Sequence, residues 1–180
     1  MGIKNLWALN VDELLVSDQL KYHLKKTAFE VCFPLNAQMK DVDLVLLNLK
    51  TNNAKTIQVK GSRTYEPRAS EVKRYGDGSA AWIRIEKKSI FNSSNKIDFY
   101  IFVLHNFVNG EVKKEIKIDY LILPIADFHV YCNKKVARKG DFYHFIIWVD
   151  SKGKRCFDFR EDKEKPIDLS RYLNNWALLN

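Results

Sequence analysis

A chain of 180 residues with 46% hydrophobic and 13% aromatic side chains can bury a core, so wholesale disorder is excluded and one domain over residues 1–180 is expected. Seven Gly and four Pro exclude collagen-like and linker-dominated chains. Thirty Lys and Arg against 22 Asp and Glu leave a net charge of +8, which points to an anionic partner, nucleic acid before a membrane surface, or to a basic surface that only solvates.

In chain order, Met1 to Asn10 lacks the basic region, long apolar run and cleavage site of a secretion signal. From Asn10 to Ala28 the spacing of Val11, Leu14, Leu15, Leu20, Tyr22 and Leu24 predicts a helix, with Asn10 as N-cap and Asp12 and Glu13 favoured by the dipole in the first turn. Phe29 to Leu35 alternates as a strand that Pro34 closes. Asp43 to Leu49 and Thr56 to Gly61 read as two strands of a hairpin joined across Lys50 to Lys55. Thr64 to Ala81, with Pro67, Gly76, Gly78 and many charges, reads as a mobile loop. Further strands are predicted at Ile97 to Leu104, Asp119 to Leu123 and Tyr143 to Val149, with a turn at Asn109-Gly110, and a terminal helix over Asp168 to Leu179. No stretch has the roughly 18 to 20 apolar residues of a membrane helix. Cys32, Cys132 and Cys156 form no CxxC or Cys/His pattern; they read as packing residues of a cytoplasmic protein.

Chemistry concentrates in the hairpin. Side chains alternate along a strand, so Ile57 and Val59 face one way and Gln58 and Lys60 the other. Asp43 opens the antiparallel partner strand and can approach that polar face. An acid, an amide carbonyl and a lysine at one end of a hairpin suit Mg²⁺ or Mn²⁺, which take carboxylate, carbonyl and water oxygens.

These residues resemble the motif of the PD-(D/E)xK nuclease superfamily, the restriction-endonuclease-like fold, in the variant where Gln replaces the second acid (Ile57-Gln58-Val59-Lys60). Leu24 to Val31 is similar to the family's ending of its first helix, and Asp43-Leu44-Val45 to its usual strand opening. Asp98 to Val103, Tyr120 to Pro124 and Trp176 to Leu179 are similar to segments of small stand-alone members. The resemblance implies an α/β fold: an αβββαβ core, a central mixed sheet flanked by helices, with additional C-terminal strands and a helix. It implies metal-dependent hydrolysis of DNA phosphodiester bonds, by an endonuclease or a structure-specific, resolvase-like enzyme. Asp43, the Gln58 side-chain oxygen and the Val59 carbonyl would hold the metal, Lys60 would orient the attacking water and offset developing charge, and Ser62 would contact the scissile phosphate. The family's helix acid aligns with Ser17 here; Glu13, one turn earlier on the same helical face, is the substitute, or substrate phosphates complete the site. Glu30 and Glu71 are further acids without motif support. The alternative reading is a nucleic-acid-binding module on the same fold with weak or lost chemistry, and a third is an interaction module with an acidic protein partner.

Between Lys60 and Lys88 stand eight basic and four acidic residues, so half of the net charge follows the lysine strand directly. Arg63, Arg68, Lys73 and Arg74 are the candidate backbone-phosphate contacts, Tyr65 and Tyr75 candidate base-stacking rings, and Lys134 to Lys139 a candidate extension. His23, His105, His129 and His144 show no ligand or nucleophile pairing, and the four tryptophans read as packing residues. A homodimer suits a nuclease that cuts two strands; Trp176, Leu178 and Leu179 are either its seam or a cover for the core.

Overall fold

A computed structural model describes residues 10–24, 28–34, 41–92, 96–109, 114–136 and 141–180. The chain opens with α1 (Val11–Leu24), where Asn10 Oδ1 accepts the Asp12 N–H at 3.2 Å, the N-cap read from sequence. Every third or fourth residue of α1 is buried, Glu13, Val16, Ser17, Leu20 and Leu24. The antiparallel meander β1 (Phe29–Cys32), β2 (Leu44–Asn48) and β3 (Ala54–Gly61) follows. Its chain then leaves through β4 (Arg63–Tyr65), α2 (Ala69–Tyr75), β5 (Gly78–Glu86) and α3 (Lys87–Asn92) before returning as β6 (Phe99–Asn109), which lies parallel to β3. The hairpin partner β7 (Lys114–Pro124), α4 (Ile125–Cys132), β8 (Phe142–Asp150), β9 (Cys156–Asp158) and β10 (Ile167–Asp168) complete the order.

Two five-stranded sheets result, one mixed with order β1-β2-β3-β6-β7 and one antiparallel with order β10-β9-β8-β5-β4. Alternation sorts the layers. Ile57 and Val59 of β3 and Phe99, Ile101 and Val103 of β6 pack under Val16, Leu20 and Leu24 of α1. The opposite face of β6, Tyr100, Phe102 and Leu104, meets Ala81, Ile83 and Ile85 of β5 and Phe145, Ile147 and Val149 of β8, which forms the main core between the sheets. On the far side of the second sheet, Tyr75 from α2 packs with Trp148 and Phe159. The described residues are therefore mixed α/β, with one mixed sheet, one antiparallel sheet and four α-helices.

Several expectations are corrected. The Thr64 to Ala81 loop is β4, α2 and the start of β5. Helical spacing at the terminus is met by two 3-10 turns, Ser170–Tyr172 and Trp176–Leu179, in place of one α-helix. Asn174 interrupts them at φ +51°, accepting the Tyr120 N–H on Oδ1 at 2.8 Å and donating Nδ2–H to Asp119 at 3.0 Å. Cys132 and Cys156 are buried, but Cys32 is exposed. Residues 25–27 and 35, which the helix and first-strand readings included, and Gly110 of the predicted turn lie outside the described residues. No helix among those described is long and apolar enough to cross a membrane.

Candidate functional site

Asp43 immediately precedes β2, and its N–H donates to the Ile57 carbonyl of β3 at 2.9 Å, which locks the register there. That pairing carries its carboxylate over the strand: Oδ2 accepts the Val59 N–H at 2.8 Å and the Gln58 side-chain amide. Asp43 and Gln58 are 9% and 4% exposed, so the contact is shielded and each donor counts for more than it would in water. A carboxylate accepts only, so the Gln58 amide must present nitrogen to Asp43 and turn its carbonyl elsewhere. Lys60, two residues on, is half-buried. Its register partner Phe102 belongs to the face between the sheets, which puts Gln58 and Lys60 on that side of β3 and away from α1. Among the described residues no carboxylate or carbonyl lies within hydrogen-bond or ion-pair reach of its ammonium, Asp43 included.

The helix contributes differently from the expectation. Glu13 is buried on the α1 face shared with Val16 and Ser17, in the layer over Ile57 and Val59. The carboxylate that α1 delivers to the end of β3 is that of Asp12: a Cβ on Gly61 would stand 1.8 Å from Asp12 Oδ2. Asp12 Oδ1 is 2.7 Å from His105 Nε2 on β6, and the His105 N–H donates to Ser62 Oγ at 2.8 Å. Ser62 is thus held beside the strand end with its own O–H left to donate. Sequence reading assigns Asp12 to the helix dipole and finds no pairing for His105; only the parallel β3–β6 pairing, which no local pattern encodes, brings them together. Glu30 is exposed on β1.

The basic segment separates into distinct roles. Arg63 is exposed on β4, its guanidinium 5.5 Å from the Trp82 ring centroid. The Arg68 N–H donates to Glu71 Oε2 at 3.0 Å at the start of α2, and Glu71, only 3% exposed, also accepts from the Tyr65 hydroxyl at 3.2 Å and from Lys163 at 3.4 Å. Glu71 therefore belongs to the α2 cap. Burial, then the charge of Glu71, raise the Tyr65 pKa. Lys73 is exposed, whereas Arg74 pairs with Glu164. Tyr75 is corrected as a stacking ring for bases: it is buried against Trp148, Phe157 and Phe159. Lys135 is corrected as surface charge, since its side chain is fully buried on Asp158; residues 137–140 of that group lie outside the described residues.

Oxygen donors at the hairpin come from one acid and one amide, and among the described residues no three Asp, Glu, His or Cys side chains gather as a metal-ligand group. Such a set fits a hard divalent cation that retains waters and leans on substrate phosphates, as Mg²⁺ does, better than a closed structural site. No family model matches this sequence, and no curated protein and no solved structure matches it.

Proposed function

We propose that the chain is a metal-dependent nuclease of the restriction-endonuclease-like type, acting on DNA phosphodiester bonds. The observation that carries the reading is the buried contact of Asp43 with Gln58 and the Val59 N–H, beside a lysine on the Gln58 side of β3 that no acid among the described residues neutralises. The order of α1, the β1–β2–β3 meander and the parallel return of β6 supports it, with β4, α2, β5 and α3 inserted in the crossover between β3 and β6.

Asp43, Gln58 after its amide turns over, and the Val59 carbonyl would hold Mg²⁺ or Mn²⁺. Bound there, the ion would supply a hydroxide near neutral pH and a positive clamp on the phosphate. Lys60 donates to the attacking water or to a non-bridging phosphate oxygen as charge accumulates. The Ser62 O–H donates to the scissile phosphate from its seat on the His105 N–H. Asp12, held by His105, and the buried Glu13 set the charge balance of the helix layer around the end of β3. Arg63 and Lys73 are exposed and meet backbone phosphates, and the Arg68 side chain adds to them.

Plasmid and branched DNA incubated with Mg²⁺ or Mn²⁺ should be cleaved by the wild type, with Asp43→Ala and Lys60→Ala slowed by about 10²-fold or more. Identical traces for all three proteins would overturn the reading. A second reading, a nucleic-acid-binding module without turnover, is favoured by the closed Gln58–Asp43 contact itself, which satisfies the carboxylate without a cation. It expects a gel shift that is steep in salt and indifferent to chelator.

A further inference from the structure

The outward face of the antiparallel sheet packs on α2 at one end, and no described helix covers it at the other. Alternation along β5 and β8 turns Ala81, Ile83, Ile85, Phe145 and Ile147 inward, so Trp82 and Arg84 of β5 and Phe142 and His144 of β8 point outward. The register pairs Arg63 of β4 with Trp82, adding a second arginine to the same patch. Gly61, Arg63, Trp82, Arg84 and Phe142 line a groove of about 330 Å³. The Arg84 guanidinium lies 3.7 Å from the Phe142 ring centroid and that of Arg63 lies 5.5 Å from Trp82. His144 lies against Trp82 with ring planes 11° apart, and Trp82 Nε1–H donates to His144 Nδ1 at 3.3 Å, which ties the indole to β8.

Two features single out this patch. Both arginines are exposed, and among the described residues neither guanidinium has a carboxylate or hydrogen-bond partner, unlike Arg74 and Arg155 on the same sheet's other end. An aromatic–arginine cluster with no counter-ion offers planar stacking surface and forked donors at once, which suits a ligand that is both flat and anionic. The groove volume matches the small end of ligand pockets. Gly61, one residue after Lys60, forms its wall, which makes the groove contiguous with the end of β3.

We propose that this groove holds an unpaired nucleotide of a nucleic-acid strand, its base stacking on Trp82 and its neighbouring phosphates met by Arg63 and Arg84. The choice of a nucleic acid rests on the nuclease reading above, and the inference adds the substrate class: strands with unstacked bases, such as single strands or junction arms, over blunt duplex. A base inside a duplex already stacks on its neighbours and cannot enter.

Fluorescence anisotropy of a labelled 12-nucleotide oligothymidine, the matching duplex and an oligonucleotide with abasic sites, all in EDTA, tests it without any turnover. The wild type should bind the single strand at least about tenfold more tightly than either the duplex or the abasic strand. Trp82→Ala should lose about tenfold or more for the single strand and erase the abasic difference. Arg84→Gln, an exposed change that keeps the fold testable if Trp82→Ala does not fold, should lower the salt slope by about one. Equal binding of single strand and duplex, or an unchanged affinity and salt slope in Arg84→Gln, overturns the proposal. Competition by thymidine monophosphate as strong as by the strand also overturns it, in favour of a mononucleotide site. Loss of cleavage with groove-dependent binding intact sinks only the nuclease reading; cleavage without groove-dependent binding sinks only this one.

Discussion

Asp158, in β9, and Asp43, just before β2, are both buried carboxylates, and Lys135 and Lys60 behave oppositely toward them. Asp158 Oδ2 accepts the Tyr131 hydroxyl at 2.6 Å and the Lys135 ammonium, while Oδ1 accepts the Ile146 N–H at 3.0 Å and the Arg160 N–H at 2.9 Å. Lys135 is sealed in, 4.8 Å from the Phe145 ring centroid and 3.6 Å from Glu161. Asp43 accepts from an amide and a backbone N–H, and Lys60 stands aside without a partner among the described residues. One acid uses its lysine to hold α4 against β8 and β9. The other leaves its lysine unspent, as a group that must act on something outside the protein would be left.

The contrast predicts its largest effect at Asp158. Asp158→Ala strands a buried ammonium, a buried phenol and two N–H groups at once, so folding stability should fall by about 3–5 kcal/mol. Urea unfolding of the variant measures it, and a loss below about 1 kcal/mol would break the distinction between the two aspartates.

Around Asp158 the neighbouring acids are held protonated, which gives that region an alkaline signature. Burial, opposed in part by the nearby Lys135 charge, pushes the Cys132 thiol up to about 12. Burial also raises Cys156 and Tyr131 well above their ordinary values, with Asp158 adding to both. Each group binds its proton more tightly folded than unfolded, so its contribution is complete below the unfolded pKa and is lost as pH rises through the window above it. Stability should therefore decline from about pH 9, where unfolded thiols ionise, by up to about 1.4 kcal/mol per pH unit for each group, and more steeply above pH 10 when tyrosine joins. Unfolding midpoints at pH 8, 9 and 10 test it. A flat profile would mean that the cluster is open to water.

At the β3 end the next effect is steric. Gly61→Ala places a methyl 1.8 Å from Asp12 Oδ2, so the carboxylate and its His105 contact must move, at about 1–3 kcal/mol. The double variant with Asp12→Ala should recover most of that loss, because it removes the obstructing atoms. A Gly61→Ala protein as stable as the wild type would place Asp12 elsewhere.

How far these two regions could be read from sequence differs for physical reasons. The Asp43 hairpin was legible because its determinants are local: a continuous apolar β2, alternation in β3 and a polar connection. Asp158 was not, since Lys135, Ile146 and Arg160 converge only through the β8–β9 ladder. β5 was missed because Gly78 and its charged approach resemble a loop, whereas the glycine is there for close packing, a Cβ lying 2.5 Å from the Val149 carbonyl oxygen. Lys135 was miscounted as surface charge because composition cannot see burial. Helical spacing at the terminus is satisfied equally by two 3-10 turns, and only the hydrogen bonds of Asn174 to β7 decide between them.

The smallest effect on stability sharpens the comparison most. Lys60→Met removes a charge with no partner among the described residues and keeps the aliphatic stem, so folding stability should shift by no more than about 0.5 kcal/mol. Lys135→Met, by contrast, deprives Asp158 of its counter-charge inside the core and should cost several times that. Measured together, the pair separates a lysine that the fold needs from one that it tolerates. If Lys60→Met proves as destabilising as Lys135→Met, Lys60 is a structural cation and the case for an outward-acting group at β3 fails on stability data alone. If Lys60→Met leaves the fold untouched and abolishes cleavage of DNA, the unpaired ammonium has the function that its isolation beside Asp43 implies.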